Sequence, residues 1–373
     1  MKKIFTMAGR SFSAQEGVLV IAEAGTGHEG DPDRLEALVR AAKQAGADAV
    51  KFQMVFAHEI LHPETGIVHL PGGPVRLFDR FRALEQNPSF YETAVRLCRE
   101  EGMIFLCSPF GLESESLLAA LSPPAIKIAS PELNHFPLIR KAASRGVPLI
   151  LSTGVSRLGD IEAALEAAAG APAAALLHCV TSYPAPEEDY NLRVIKTLAA
   201  AFGVPVGVSD HSADPALVPV LALSQGACIV EKHICLSREG DGLDDPVALE
   251  PDDFGAMVQE IRRAQGLPED RILSYISTAY GPDRVRACLG TGAKRLAPSE
   301  QENYGRTNRS IHFMSALPAG HTLSADDVAI LRTEKILSPG IGPEYLDTVI
   351  GARLTRAVRD GAGLKWDDLV SRG

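Results

Sequence analysis

Eight short, unbroken apolar runs recur along the first two thirds of the chain: VLVIAEA (18–24), DAVKFQ (48–53), MIFLCS (103–108), AIKIAS (125–130), PLILST (148–153), AALLHC (174–179), VPVGVSD (204–210) and ACIVEKH (227–233). A strand with one wet face alternates apolar and polar residues. A run without alternation belongs in a parallel sheet covered on both sides. The intervening segments carry helical spacing. DPDRLEALVRAAKQAG opens on Asp31-Pro32 and stops at Gly46, and SRLGDIEAALEAAAG is a second example. Eight strands alternating with helices match the count and length of a (β/α)8 TIM barrel, with a doubly wound open sheet as the alternative. The barrel is placed over residues 1–265. Residues 266–303 mix Gly, Pro and charge around one helical piece and read as a connecting segment. Residues 304–373 show short alternating runs between turn signals, a small β-rich domain.

In such barrels chemistry sits at the C-terminal ends of the strands. The eight ends deliver Glu23, Lys51 with Gln53, Ser108, Lys127 with Ser130, Ser152 with Thr153, His178 with Thr181, Asp210 with His211, and Glu231 with His233. Burying such groups unpaired costs several kcal/mol each, so a core strand that ends in Glu-Lys-His calls for a function. His211 and His233 end consecutive strands and could share one divalent ion, Mn, Fe, Zn or Co rather than Ca. Lys51 and Lys127, with hydroxyls from Ser108, Ser130 and Ser152, suit a phosphate or carboxylate. A strand-end lysine is also the position of a Schiff-base aldolase, so that mechanism stays open. Glu23 is placed as an acid/base group or as a salt-bridge partner of Lys51. Asp244 and Asp245, beyond the last strand, could face the same mouth.

The formal net charge of −10 argues against nucleic-acid and anionic-membrane partners. The six cysteines are scattered without a CxxC pair, and most fall in apolar runs, as reduced core residues of a cytoplasmic protein do. The N-terminal stretch MKKIFTMAGRSF is too short in apolar residues for a signal peptide, and no run reaches membrane-spanning length.

Eight motifs then carry a resemblance: IAEAGTGHEGD, GADAVKFQ, SPF, IKIAS, LSTG, LLHCVTSYPAPEEDYNL, GVSDHS and EKHICL occur in this order, as in the sialic acid synthase family. RTNRSIHF, LPAGHTLSADDVAILR, PGIGPEY and VIG resemble its C-terminal SAF, or antifreeze-like, domain. The resemblance implies condensation of phosphoenolpyruvate with the open-chain aldehyde of an N-acetylmannosamine-like amino sugar, giving a nine-carbon 2-keto-3-deoxy acid and phosphate. It implies His211 and His233 as ligands of Mn2+ or Mg2+ and Glu23 as the catalytic carboxylate. Lys51, Lys127, Ser108, Ser130 and Ser152 would clamp phosphoenolpyruvate, with Tyr183 nearby. Gln53, Asp244 and Arg309 are expected on the sugar side, Arg309 reaching into the partner's barrel in a domain-swapped homodimer. The chain departs from the family at Gly27-His28-Glu29-Gly30 (usually NHNG), at Asp245-Pro246 after Asp244 (usually His-Lys), along the stretch that follows the second strand, and in a longer connector.

Overall fold

A computed structural model describes residues 4–70, 73–334 and 336–369, so expectations for the extreme termini lie outside the described residues. The barrel strands are Leu19–Gly25, Ala49–Met54, Ile104–Pro109, Ile126–Ile128, Leu149–Ser152, Ala174–Cys179, Val206–Asp210 and Ile229–His233. They form one parallel sheet in which the eighth strand returns to the first, with Ile21 opposite Glu231 and Glu23 opposite His233. Among the described residues the third and fourth strands stand side by side without a ladder, so the barrel is nearly closed.

The unbroken apolar runs resolve into two interleaved sets of period two. Leu19, Ile21, Ala49, Leu106, Ala125, Ile150, Ala175, Leu177 and Ile229 fill the barrel interior. Their neighbours Val20, Val50, Phe52, Leu149, Leu151, Leu176 and Val230 pack outward against the helices. Both faces are dry, and each Val, Leu, Ile or Phe among them contributes about 1.5–3 kcal/mol by burial. Gly207 is required on the inward set, because a Cβ there would lie 2.3 Å from the Ile229 carbonyl oxygen and 2.8 Å from Leu177 Cδ2. A hairpin, Phe5–Met7 with Arg10–Phe12, closes the barrel floor and adds Phe5, Met7 and Phe12 to the interior. Its strands are too short to show a period in the sequence.

The helix Pro32–Gln44 forms as its sequence dictates. The Asp31 side chain accepts from Asp33 N, Pro32 opens the first turn, and Leu35, Leu38, Val39, Ala41 and Ala42 form the buried stripe. The connector corrects the expectation of a single helical piece. It holds two helices, Glu269–Tyr280 and Pro282–Leu289, broken at Gly281 where φ is +84°. Ile272, Ile276, Val285, Cys288 and Leu289 belong to the barrel's outer core, so this stretch is an extension of the barrel.

The small domain pairs Ser310–Phe313 antiparallel with Val328–Leu331 over a core of Ile311, Phe313, Leu323, Val328, Val349, Leu354 and Leu364. It rests on the barrel of its own chain. Arg332 N donates to Ile60 O at 2.9 Å. The Asn134 amide pairs with the Arg309 backbone in both directions, at 2.8 and 3.0 Å.

Candidate active site

The period-two alternation sorts the polar strand ends. Inward, Glu23, Lys51, Gln53, Ser108, Lys127, Ser152, Cys179, Ser209, His211, Glu231 and His233 line one cavity of about 700 Å3 at the C-terminal mouth. Ser130, Thr181, Tyr183 and Asp244 join them from the loops. Outward, His178 bonds the Tyr190 carbonyl, and Asp210 pairs with Lys232 at 2.5 Å and accepts from Tyr190 Oη at 2.6 Å. Thr153 Oγ1 donates to Leu177 O at 3.0 Å. His178, Thr153 and Asp210, read as strand-end candidates, therefore serve the packing between strands and helices.

At the cavity floor Glu23 and Glu231 alternate with Lys51 and Lys127. Lys51 Nζ lies 2.5 Å from Glu23 Oε2 and 3.8 Å from Glu231 Oε2, and Lys127 Nζ lies 3.4 Å from Glu231 Oε1. Gln53 Nε2 donates to Glu23 Oε1 (2.8 Å), Ser209 Oγ to Glu231 Oε1 (3.0 Å) and Lys51 Nζ to Ser108 Oγ (3.3 Å). Burial alone would raise the Glu231 carboxyl, but Lys127 and Lys51 hold it down at about 2. Burial pulls Lys51 down, yet Glu23 and Glu231 outweigh it and its ammonium is held above the ordinary value. For Lys127 burial prevails and the shift is downward, against Glu231. Two ammoniums and two carboxylates leave this floor neutral.

Ser152 Oγ is buried and has no hydrogen-bond partner among the described residues. Ser130 Oγ accepts from Gly154 N at 3.0 Å. Position 154 has to be glycine, since a Cβ would come within 2.1 Å of Thr181 Oγ1 and 2.9 Å of Ser130 Oγ. The two imidazoles face each other above this floor with ring centroids 5.6 Å apart. His211 Nδ1 donates to the Val180 carbonyl at 2.8 Å, leaving Nε2 toward the cavity, 3.2 Å from Tyr183 Oη. The Tyr183 ring stacks on His211 at 4.2 Å. Burial lowers the His211 ring pKa, but Cys179, the Val180 carbonyl and Asp210 raise it further, to about 9. His233 shifts downward through burial and keeps Asp244 Oδ2 at 3.8 Å from Nδ1. Among the described residues no group of three or more His, Cys, Asp or Glu is arranged to hold a metal ion.

The structure places Arg309 elsewhere than expected. Its guanidinium is fully buried below the mouth, in its own chain. It donates to Glu132 Oε1 (2.9 and 3.1 Å), to the carbonyls of Phe110 (2.7 Å) and Ile330 (3.2 Å), and to that of Glu59. Burial lowers its pKa to about 10, against the pull of Glu132. Arg332 reaches the cavity instead, held by Glu132 Oε1 at 2.5 Å, with Glu334 at 3.7 Å. With Ser310 opposite Leu331, the two arginines flank one antiparallel ladder. The sequence holds both residues, but only the register and the docking surface decide which one faces the mouth. Asn303 at the end of the connector, and Thr307 and Ile336 beyond it, also line the cavity and carried no strand-end signal.

The family departures have structural partners. Glu29 pairs with Arg80 at 2.6 Å, and Asp245 pairs with Arg34 at 2.8 Å while accepting from Gly242 N. His28 Nδ1 accepts from Gly30 N, and its ring packs 4.6 Å from Phe90. All three brace loops and stay off the cavity wall.

Comparison with known proteins gives the same picture. The NeuB family model matches residues 38–271, and the SAF domain model matches residues 308–370. The spore coat polysaccharide biosynthesis protein SpsE of Bacillus subtilis is 34% identical over 98% of this chain and 97% of its own. Its crystal structure superposes with a TM-score of 0.83, covering 99% of this chain and 100% of that one. An N,N'-diacetyllegionaminic acid synthase of Legionella pneumophila is 31% identical over 94% of both chains. The N-acetylneuraminic acid synthetase structure from Leptospira borgpetersenii serovar Hardjo-bovis, in complex with citrate, is 28% identical with a TM-score of 0.64, over 81% of this chain and 95% of that one. With an eight-stranded barrel whose mouth gathers these motifs, and a C-terminal SAF domain set over it, the chain belongs to the NeuB family.

Proposed function

We propose that this chain condenses phosphoenolpyruvate with an N-acylated amino-sugar aldehyde, forming a 2-keto-3-deoxy acid (nine-carbon with a six-carbon sugar) and releasing phosphate. The observation that carries the reading is the floor itself, where Lys51 and Lys127 are interleaved with Glu23 and Glu231 beside the unpartnered Ser152 hydroxyl. The names of the relatives, synthases of sialic-acid-type sugars, support it.

The lysines, with Ser108, Ser130 and Ser152, would hold the phosphate and carboxylate of phosphoenolpyruvate. The π pair of its C2–C3 bond forms the new bond to the aldehyde carbon, and the aldehyde oxygen takes up a proton. Water then adds at C2, and the C2–oxygen bond to phosphate breaks. Glu23, joined to Lys51 and Gln53 at the mouth, is placed to move the proton of that water. Because the floor is neutral, a substrate with about three negative charges requires added positive charge nearby. A divalent ion, Mn2+ or Mg2+, on His211 and His233 would supply it and polarise the aldehyde oxygen. A Schiff-base mechanism needs an unpaired lysine, whereas both lysines here stand against carboxylates. The test is phosphate release from phosphoenolpyruvate with N-acetylmannosamine and diacetamido-hexoses, with Mn2+ and with EDTA. Release that needs both sugar and metal is expected. Release insensitive to EDTA, or borohydride trapping of the protein by a keto acid, would overturn the reading.

A further inference from the structure

The connector meets the active site from behind, through the loops that follow the fifth and sixth strands. The loop Ser152-Thr153-Gly154-Val155 leaves the fifth strand with Val155 at φ +41°. A β-branched residue holds that left-handed backbone only where its surroundings impose it. Here the backbone groups around it are taken up one by one. Gly154 N donates to Ser130 Oγ, and Thr153 O accepts from Lys294 Nζ at 2.8 Å. Val155 N donates to Glu300 Oε1 at 2.8 Å, and Val155 O accepts from Asn308 Nδ2 at 3.2 Å. The same Glu300 Oε1 accepts from Thr181 N, beyond the sixth strand, at 2.7 Å. Its other oxygen accepts from Ala297 N at 3.2 Å. Glu300 is 1% exposed and is no part of the cavity wall.

We infer that Glu300 and Lys294 are positioning residues for phosphoenolpyruvate. One carboxylate oxygen, shared by the amides of Val155 and Thr181, fixes the two loops against each other, and Lys294 fixes the Thr153 carbonyl between them. The hydroxyls of Ser152, Ser130 and Thr181 are thereby set around one anion. The inference rests on the condensation reading, which puts phosphoenolpyruvate against these hydroxyls. Ser152 Oγ, unpartnered and facing the cavity, is the group that the arrangement presents. Charge does not explain Glu300, because a carboxylate behind an anion site opposes the ligand. Lys294 offsets part of that charge; burial shifts its ammonium downward against the pull of Glu300. What the site needs is an acceptor at the one point where both amides meet. Without it the two buried amides lose their partner, Val155 is free to leave the left-handed region, and Ser152 moves with it.

The test measures phosphoenolpyruvate binding by calorimetry, and KM for phosphoenolpyruvate and for the sugar by phosphate release, in Glu300→Gln, Glu300→Asp and Lys294→Met. Glutamine keeps an oxygen at the shared point and loses the charge. Aspartate keeps the charge and draws the oxygen back by one methylene. Glu300→Gln is expected to bind within about three-fold of the wild type, and Glu300→Asp about ten-fold or more weakly. KM for phosphoenolpyruvate should rise in step with the binding loss, while KM for the sugar holds. Should Glu300→Asp fail to fold, Lys294→Met decides, with binding expected to weaken by about three-fold or more. The reverse order, glutamine weaker than aspartate, would make charge the role of Glu300 and overturn the inference. So would folded variants that bind as the wild type does, or an equal rise in both KM values. Each of these leaves the condensation reading standing; a wild-type protein that does not bind phosphoenolpyruvate removes both.

Discussion

Glu231, Lys232 and His233 are consecutive, yet the strand sends the first and third into the cavity and the second into the wall behind it. Lys232 is tied to Asp210 and to the carbonyls of Ser212 and Asp214. Removing it would leave Asp210 buried and unpaired. Lys232→Met should therefore cost about 3–5 kcal/mol in urea unfolding, while Lys127→Met should abolish most turnover at a smaller stability cost. Equal stability losses in the two variants would contradict the sorting. Glu23→Gln keeps the shape and removes the proton acceptor, so kcat should fall by about 10²–10⁴-fold with a modest change in KM for phosphoenolpyruvate. Most of the floor was legible residue by residue. The inward apolar residues of each run set the parity, so Ile229 marks Glu231 and His233 as inward and Lys232 as outward. The same parity marks His178 and Asp210 as outward and would have found Cys179 and Ser209.

At the scale of elements, the eight strands were legible because both faces of each are buried, and every observed bound falls within two residues of its apolar run, the fourth and fifth strands ending two and one residues sooner. The connector helices were less so. Gly281-Pro282 divides them, and their apolar stripes are short. The position of the SAF domain depends on contacts hundreds of residues apart in the chain, which no local pattern encodes. Arg309 is the clearest case, since one planar fork joins Glu132 to the carbonyls of Phe110 and Glu59 on separate barrel loops. Lysine has no such fork. Arg309→Lys should raise amide hydrogen exchange in residues 57–61 and 328–333 by about ten-fold or more, corresponding to loss of roughly 1.4 kcal/mol of local stability. Unchanged exchange there would mean that the docking rests on other contacts.

For the whole molecule, His28, His178 and His312 are buried in the neutral form, with pKa values of about 4, 3 and 4, set first by burial and, for the first two, by Arg34 and Lys294. His135 shifts the same way through burial and Arg309. These folded values lie below the ordinary 6.5. The stability they contribute is therefore complete above about pH 6.5 and is lost as pH falls toward 4, with a slope of about 1.4 kcal/mol per pH unit for each histidine. Denaturant midpoints at pH 7 and pH 5 would check this, and equal midpoints would contradict it. From Gly290 to Arg309 the chain, the end of the connector and the start of the small domain, is pinned along the barrel, through Asn191 to Ala293 O, Lys294 to Thr153 O, Glu300 to Val155 N and Thr181 N, and Asn308 to Val155 O. Mixing Lys127→Ala and Arg332→Ala chains tests the expected domain-swapped homodimer: recovered turnover would show the small domain crossing between chains, and none despite subunit exchange would keep Arg332 and the floor on one chain. The tether has one more consequence. A cover attached by its own chain would meet the mouth at an effective concentration fixed by the connector and keep specific activity constant on dilution, whereas a cover lent by a partner chain would lose activity as the molecules separate.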